Sequence, residues 1–265
     1  MGSSIRIPVG SIATALYVAF ICLPILALLV RALSQEVALA SLLNDNVLQA
    51  LWLSLFTSTI SMVVVVVVGT PFALSLARSS SAVMRVVDQI VELPIILPPV
   101  VAGVAMLLAF GRQGILGPPL AHLGISLPFT TMAVIFAQIF VAAPFYIRSA
   151  KLGFMAVPRE YEAISQTLGL SPWRTFLKLT LPMATPSLLT GLALAWARAL
   201  SEFGATIMFA GNLMGETQTM PLAIMTAMET SLESAIALSV ILLALALLVL
   251  GALGLISRYR WREST

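Results

Sequence analysis

Charge is what this sequence has least of. Of its 265 residues, 9% are Asp, Glu, Lys or Arg, against about 25% in an ordinary soluble domain. Apolar residues make up 60%, where roughly 45–50% is usual. A sphere of this size cannot hide that many apolar side chains and still cover itself with polar groups, so a soluble globular enzyme is excluded. A disordered chain is excluded too, because it needs the opposite composition. Cysteine and histidine are nearly absent: Cys22 and His122 each stand alone, and one of each cannot build a disulfide framework or a His/Cys metal site. No G-x-x-x-x-G-K-[ST] phosphate loop occurs, and neither Lys151 nor Lys178 follows a glycine. Nucleophilic catalysis has no Ser-His-Asp or Cys-His set to draw on. The chain is therefore assigned no catalytic residue, no metal ligand and no cofactor-binding residue of its own.

What is present is a series of long apolar runs. Crossing a bilayer core takes about 20 helical residues, and six stretches reach that length, near 11–33, 50–77, 93–111, 129–150, 183–210 and 234–257. The runs are continuous rather than alternating, which argues for helices and against a β-barrel. The first is longer than the apolar stretch of a signal peptide and five more follow it, so it reads as a retained anchor. The expected fold is all-α and polytopic, surrounded by lipid rather than bound to nucleic acid.

The few charges orient it. With the N-terminus in the cytoplasm, 11 of the 14 basic residues fall on the inside: Arg6, Arg78, Arg85, Arg148, Lys151, Arg159, Arg174, Lys178, Arg258, Arg260 and Arg262. Only Arg31 and Arg112 fall outside, and Arg198 lies within a span. Cytoplasmic loops carry the excess of Lys and Arg, so both termini are expected on the cytoplasmic side of the membrane.

The longest polar interval, 151–182, is then cytoplasmic. Within it, 157–169 reads as a short helix, with Pro158 at its first position, Glu160 and Glu162 near its positive end, and Gly169 closing it. Ser171 and Pro172 start a second helix that runs to Pro182, where the fifth span begins. Tyr161, Ile164 and Leu168 fall at i, i+3 and i+7, an apolar stripe on a helix outside the membrane. Such a stripe packs on the chain's own helices, lies in the lipid interface, or fills a groove on a partner.

These residues resemble the EAA signature of ABC importer membrane subunits, E-A-A-x3-G-x9-I-x-L-P. Nine residues separate Gly169 from Leu179-Thr180-Leu181-Pro182. The signature glutamate would fall on Ala163, with Glu162 one residue early. Four further stretches resemble the molybdate permeases. Gly69-Thr70-Pro71-Phe72-Ala73-Leu74-Ser75-Leu76-Ala77-Arg78 is similar to G-T-P-x-A-x-x-L-A-R, and Leu93-Pro94-Ile95-Ile96-Leu97-Pro98-Pro99-Val100-Val101-Ala102-Gly103 to L-P-x-x-x-P-x-x-x-A-G. Trp196-Ala197-Arg198-Ala199-Leu200-Ser201-Glu202-Phe203-Gly204-Ala205 is similar to W-A-R-x-x-S-E-F-G-A, and Thr217-Gln218-Thr219-Met220-Pro221-Leu222-Ala223-Ile224 to T-Q-T-L-P-L-A-I.

The resemblance runs from about Asn44 to the end of the sixth span. It implies a type I ABC importer permease domain over 44–257, preceded by a tail and first helix (1–43) and followed by a cytoplasmic tail (258–265). It further implies a coupling loop at 157–182, in which Tyr161, Glu162, Ala163, Ile164, Leu168, Gly169 and Pro182 serve contact with an ATP-binding subunit. The implied partners are a second copy of the chain, two ATP-binding cassette subunits that hold ATP and Mg, and an extracytoplasmic oxyanion-binding protein. Molybdate is the first choice of cargo, with tungstate and sulfate the alternatives in the same class.

Within the fifth span, Arg198 and Glu202 stand four apart, so their side chains can meet. Intramembrane charges face a bundle interior or water and mark pathways. Arg198, Ser201 and Glu202 are therefore expected at the pathway or its gate, with a structural ion pair as the simpler alternative. Gly191, Ala195 and Ala199 form a small-residue stripe that permits close helix packing, the same span of a second copy being one partner it would suit. Gln138 is expected to make an interhelical hydrogen bond. An ion-coupled secondary carrier is the competing function, but such carriers usually need more intramembrane ionisable groups and often show internal repeats. A membrane-embedded enzyme is the third option, and the missing catalytic set weighs against it.

Overall fold

The computed structural model describes the backbone of residues 8–34 and 45–263, and the side chains of 12–34 and 45–254. Arg6, the stretch 35–43 and the side chains of Arg258, Arg260 and Arg262 lie outside the described residues. Among the described residues every regular element is helical. In chain order these are α1 (Pro8–Ser34), α2 (Asp45–Arg78), α3 (Ala82–Ile96), α4 (Pro99–Phe110), α5 (Gly117–His122), α6 (Thr131–Met155), α7 (Arg159–Thr167), α8 (Pro172–Leu200), α9 (Gly204–Ala210), α10 (Met220–Thr230) and α11 (Leu232–Glu263).

Five of them, α1, α2, α6, α8 and α11, are long and apolar enough to cross a membrane, and the bent pair α3–α4 makes the sixth crossing if counted as one. The third span thus departs from the expected single helix over 93–111. Its axis turns by 118° between α3 and α4. The cause is in the sequence: Pro98 and Pro99 lack amide hydrogens, and Leu97, which precedes them, is driven into an extended conformation (φ −66°, ψ 130°). With 12 residues, α4 is only about 18 Å long, short of a core about 30 Å thick. On α3, Ser81 caps the start by accepting from the Met84 amide at 3.1 Å. Asp88 then pairs with Lys151, and Glu92 lies 3.9 Å from Arg148. These two pairs hold α3 against the end of α6.

The other spans are longer than expected. The second covers 34 residues, about 51 Å of helix. The fourth continues past 150 to Met155, and the sixth starts at Leu232 and runs through the expected tail boundary to Glu263. The fifth departs most. It is not one helix over 183–210: α8 starts far earlier, at Pro172, and ends at Leu200, and α9 resumes at Gly204. Nor does Pro182 begin a new span. Helix continues through it after a π turn at Phe176–Thr180, closed by the Leu181 amide on the Phe176 carbonyl. Pro182 has no amide hydrogen for the ordinary ladder, and the widened turn takes up the mismatch.

The core sits on α6. Its Ala142, Tyr146, Ala150 and Phe154 are buried against Met62, Val65 and Ala73 of α2 and against Ala184, Leu188, Ala195 and Ala199 of α8. Towards the other end, Ala133, Val134 and Ala137 pack with Ala102 and Met106 of α4 and Ala205 and Phe209 of α9. The small-residue stripe of α8 is used here, within the chain. A Cβ on Gly191 would lie 2.7 Å from the Ser149 Cβ and 3.2 Å from the Tyr146 carbonyl oxygen. The stripe therefore seats α8 on α6, and a second copy is not what it meets. Gln138 makes the expected interhelical bond, accepting from Ser61 of α2 at 3.0 Å.

Candidate functional site

Two places gather the candidate residues, one at each end of α8. The first is the hairpin formed by α7 and the start of α8. Its helix is shorter than the expected 157–169, and Pro158 is its N-cap rather than its first helical residue. Gly169 ends it with φ +90°, a left-handed conformation that costs any side-chain-bearing residue strain. Ser171 caps the next helix as expected, accepting from the Arg174 amide at 3.4 Å. A buried pair of hydroxyls, Ser165 and Thr175, 2.8 Å apart, ties the two arms together.

Tyr161, Ile164 and Leu168 are left bare, at 49%, 56% and 80% exposure. They neither pack on the chain's own helices nor fill a groove within it. Trp173, on the second arm of the hairpin, is exposed as well and stacks on Phe176 with ring centroids 5.6 Å apart. Periodicity within α7 does not reveal it, because it belongs to the next helix. A polar segment with an unpaired tryptophan was the available signal.

Glu162 does something else. One carboxylate oxygen, Oε1, pairs with Arg78 at the end of α2 and accepts the Thr180 hydroxyl of α8 at 2.7 Å. Arg78 also donates to the Val157 carbonyl at 3.4 Å, and Arg159 donates to the Arg78 carbonyl at 2.9 Å. The Glu162 carboxylate is therefore engaged by α2 and α8 of its own chain. Ala163 and Pro182 are exposed, Pro182 on the continuous helix described above.

The second place is the break between α8 and α9. Arg198 meets Glu202 at 2.6 Å, even though α8 stops two residues before the glutamate. The Glu202 side chain is fully buried and that of Arg198 is 27% exposed. Glu202 Oε1 accepts the Ala205 amide at 2.7 Å and so serves the first turn of α9. Oε2 makes no aligned hydrogen bond and is balanced by the Arg198 charge alone. Ser201 is exposed and donates to the Arg198 carbonyl at 3.2 Å, outside the ion pair.

Gly204 lets α9 start against the start of α4: a Cβ there would lie 2.6 Å from the Pro99 Cβ and 3.2 Å from the Pro99 carbonyl carbon. The structure thus brings Arg198 and Glu202 together, with Ser201 beside them, and places the hairpin residues at the other end of the same helix. Among the described residues no group of His, Cys, Asp and Glu side chains could hold a metal ion.

Comparison with known proteins places the chain in a family. The family described as "Binding-protein-dependent transport system inner membrane component" matches residues 69–261, from the Gly-Thr-Pro stretch of α2 to the end of α11. The chain is 39% identical over 237 residues to the molybdenum transport system permease protein ModB of Mycobacterium tuberculosis, covering 89% of each chain. It is 38% identical over 231 residues to the probable transport system permease protein NifC of Clostridium pasteurianum, covering 86% of this chain and 80% of that one. In fold it resembles a chain of a bacterial ABC transporter involved in the import of the acidic polysaccharide alginate, with a TM-score of 0.76 over 93% of each chain at 16% identity. With a family match over residues 69–261 and a relative 39% identical over 89% of its length, the chain belongs to the family of binding-protein-dependent transport system inner membrane components.

Proposed function

We propose that this chain is the membrane-spanning subunit of an ATP-driven importer of a tetrahedral oxyanion, with molybdate as its cargo. The similarity to ModB over nearly the whole chain carries the choice of cargo. The hairpin carries the mechanism. A helix outside the membrane that bares Tyr161, Ile164 and Leu168, with Trp173 exposed on the second arm, has the form of an apolar face made for a partner's groove. That partner is the ATP-binding subunit, which holds ATP and Mg.

In this reading the hairpin end is cytoplasmic, as are both termini, and two copies of the chain stand over two ATP-binding subunits. An extracytoplasmic binding protein delivers the anion at the other end. Nucleotide-driven movement of the hairpins alternates the access of the pathway, because the two global states present different contacts to the motor. Arg198, Ser201 and Glu202 belong to that pathway. A partly exposed arginine at membrane depth is costly against lipid and favourable against water. Glu202 cancels most of the Arg198 charge, which suits a conduit that must release its anion rather than a tight binding site.

The test is reconstitution of the chain with its ATP-binding subunit and binding protein in vesicles. Uptake of labelled molybdate should require ATP and the binding protein. Uptake driven by an ion gradient after ATP depletion would overturn the proposal.

A further inference from the structure

The hairpin is gripped by one carboxylate oxygen. We propose that Glu162, with Arg78 and Thr180, forms a positioning joint through which displacement of α7 reaches α2 and α8 together. The inference rests on the reading of the hairpin as the place where the ATP-binding subunit docks. Glu162 Oε1 holds both the Arg78 guanidinium and the Thr180 hydroxyl, so α7 cannot shift without pulling on two helices. Arg78 is the last residue of α2, and Thr180 is the last residue of the π turn in α8. The knot is closed from both sides, Arg78 reaching the Val157 carbonyl and Arg159 reaching the Arg78 carbonyl.

The two helices respond differently. On α8 the joint grips a turn that already departs from α-helical pairing, a frequent site of functional hinges. α2 is continuous over 34 residues and carries a seam of buried hydroxyls that grips the far end of the bundle. Ser58 accepts the Trp196 indole N–H at 2.9 Å, half a turn before Arg198 in α8. Ser61 donates to Gln138 of α6, and Ser54 accepts the Met220 amide at the start of α10 at 2.8 Å. A pull on Arg78 is thus delivered, along one helix, beside the break that carries Arg198 and Glu202. A chain of packed helices and hydrogen bonds of this kind is a physical route for coupling between distant sites.

The experiment uses the full transporter in vesicles, with Cys22→Ser as background and Leu168→Cys as a cross-linking reporter to the ATP-binding subunit. Uptake per ATP hydrolysed is read for Glu162→Gln, Arg78→Gln, the double variant and Thr180→Val. Each single change at 78 or 162 should lower uptake per ATP about tenfold while cross-linking persists. The double variant should do no worse than either, because both break the same contact. Thr180→Val, which spares the ion pair, should give a smaller loss in the same direction and guards against misfolding of the charge variants. Unchanged uptake per ATP with intact cross-linking, or strictly multiplicative losses in the double variant, would overturn the joint. If instead Leu168→Cys fails to cross-link in the otherwise unaltered transporter, the docking reading itself fails.

Discussion

Arg78–Glu162 and Arg198–Glu202 are the same chemical pair placed in two surroundings, and they do different work. At the hairpin the Arg78 and Glu162 side chains keep about a fifth of their surface exposed (22% and 21%), and the carboxylate bridges two separate helices. In the broken span the Glu202 side chain has no exposure, and its second task is local, holding the Ala205 amide three residues on. Desolvation explains the difference. A carboxylate buried among helices cannot lose its counterion without stranding a charge, so Arg198–Glu202 is bound up with the integrity of the break. Arg78 and Glu162 keep partial contact with water and Glu162 also holds the Thr180 hydroxyl, so the contact can swing with α7 while it keeps hold of both helices.

The largest effect should come from separating those roles. Arg198→Ala leaves Glu202 buried and unpaired, and should destabilise the protein by about 3–5 kcal/mol, seen as a lower apparent melting temperature in detergent. Removing both charges, as Arg198→Ala with Glu202→Ala, should recover part of that loss, because the stranded charge is gone. A double variant as unstable as, or less stable than, the sum of its parts would place Arg198–Glu202 on the same footing as the hairpin pair and break the comparison. Next comes Gly204→Val, beside the same break. Its side chain would meet Pro99 from 2.6 Å, overpacking that typically costs about 1–3 kcal/mol, and molybdate uptake should fall with stability. A wild-type melting temperature would show that α4 and α9 can part freely.

How much of this contrast was legible beforehand depends on what sets each feature. Runs of apolar side chains located α1, α2, α6 and α11, since lipid demands them whatever the packing. The Pro98-Pro99 pair marked a disturbance in the third span. The size of its turn, 118°, was not legible, because the partners of α3, Lys151 and Arg148, are distant in sequence. The stretch Trp196 to Ala205 reads as uninterrupted helix, and the break at 201–203 becomes visible only when Gly204 is seen to admit Pro99. The spacing of Arg198 and Glu202 foretold their contact but not the burial of the glutamate. At the hairpin, the exposed stripe followed from helical period. Glu162 and Ser165, at i and i+3 on the neighbouring face, were the available hint that this side turns inward, but their partners Arg78, Thr180 and Thr175 are contributed by other helices.

Gly169→Val sharpens the hairpin half of the comparison. Gly169 has open space around it, with nothing within 4 Å of a Cβ, but its φ is +90°. The cost of valine is therefore backbone strain alone, about 1–2 kcal/mol, absorbed by a shift in the angle between α7 and α8. Stability should fall slightly and ATP hydrolysis should persist, while uptake per ATP drops. Coupled uptake at the wild-type ratio would show that the angle is not critical.

Leu168→Asp should have the smallest effect on the fold and, for that reason, is the most discriminating. The leucine is 80% exposed, so its replacement should leave the stability of the isolated chain within about 0.5 kcal/mol of the original and its melting temperature nearly unchanged. Burying a new carboxylate in a partner's apolar groove without a counterion is a different matter, costing several kcal/mol. The variant should be made, inserted and folded as before, yet fail to retain the ATP-binding subunit through purification in mild detergent. Retention would mean that the bare face of α7 is not the surface the motor holds, and that the partner reaches the hairpin from the side of Trp173. Loss of retention with an unchanged melting temperature would separate the two halves of the hairpin: Glu162 inward, serving the chain's own helices, and Leu168 outward, serving another polypeptide.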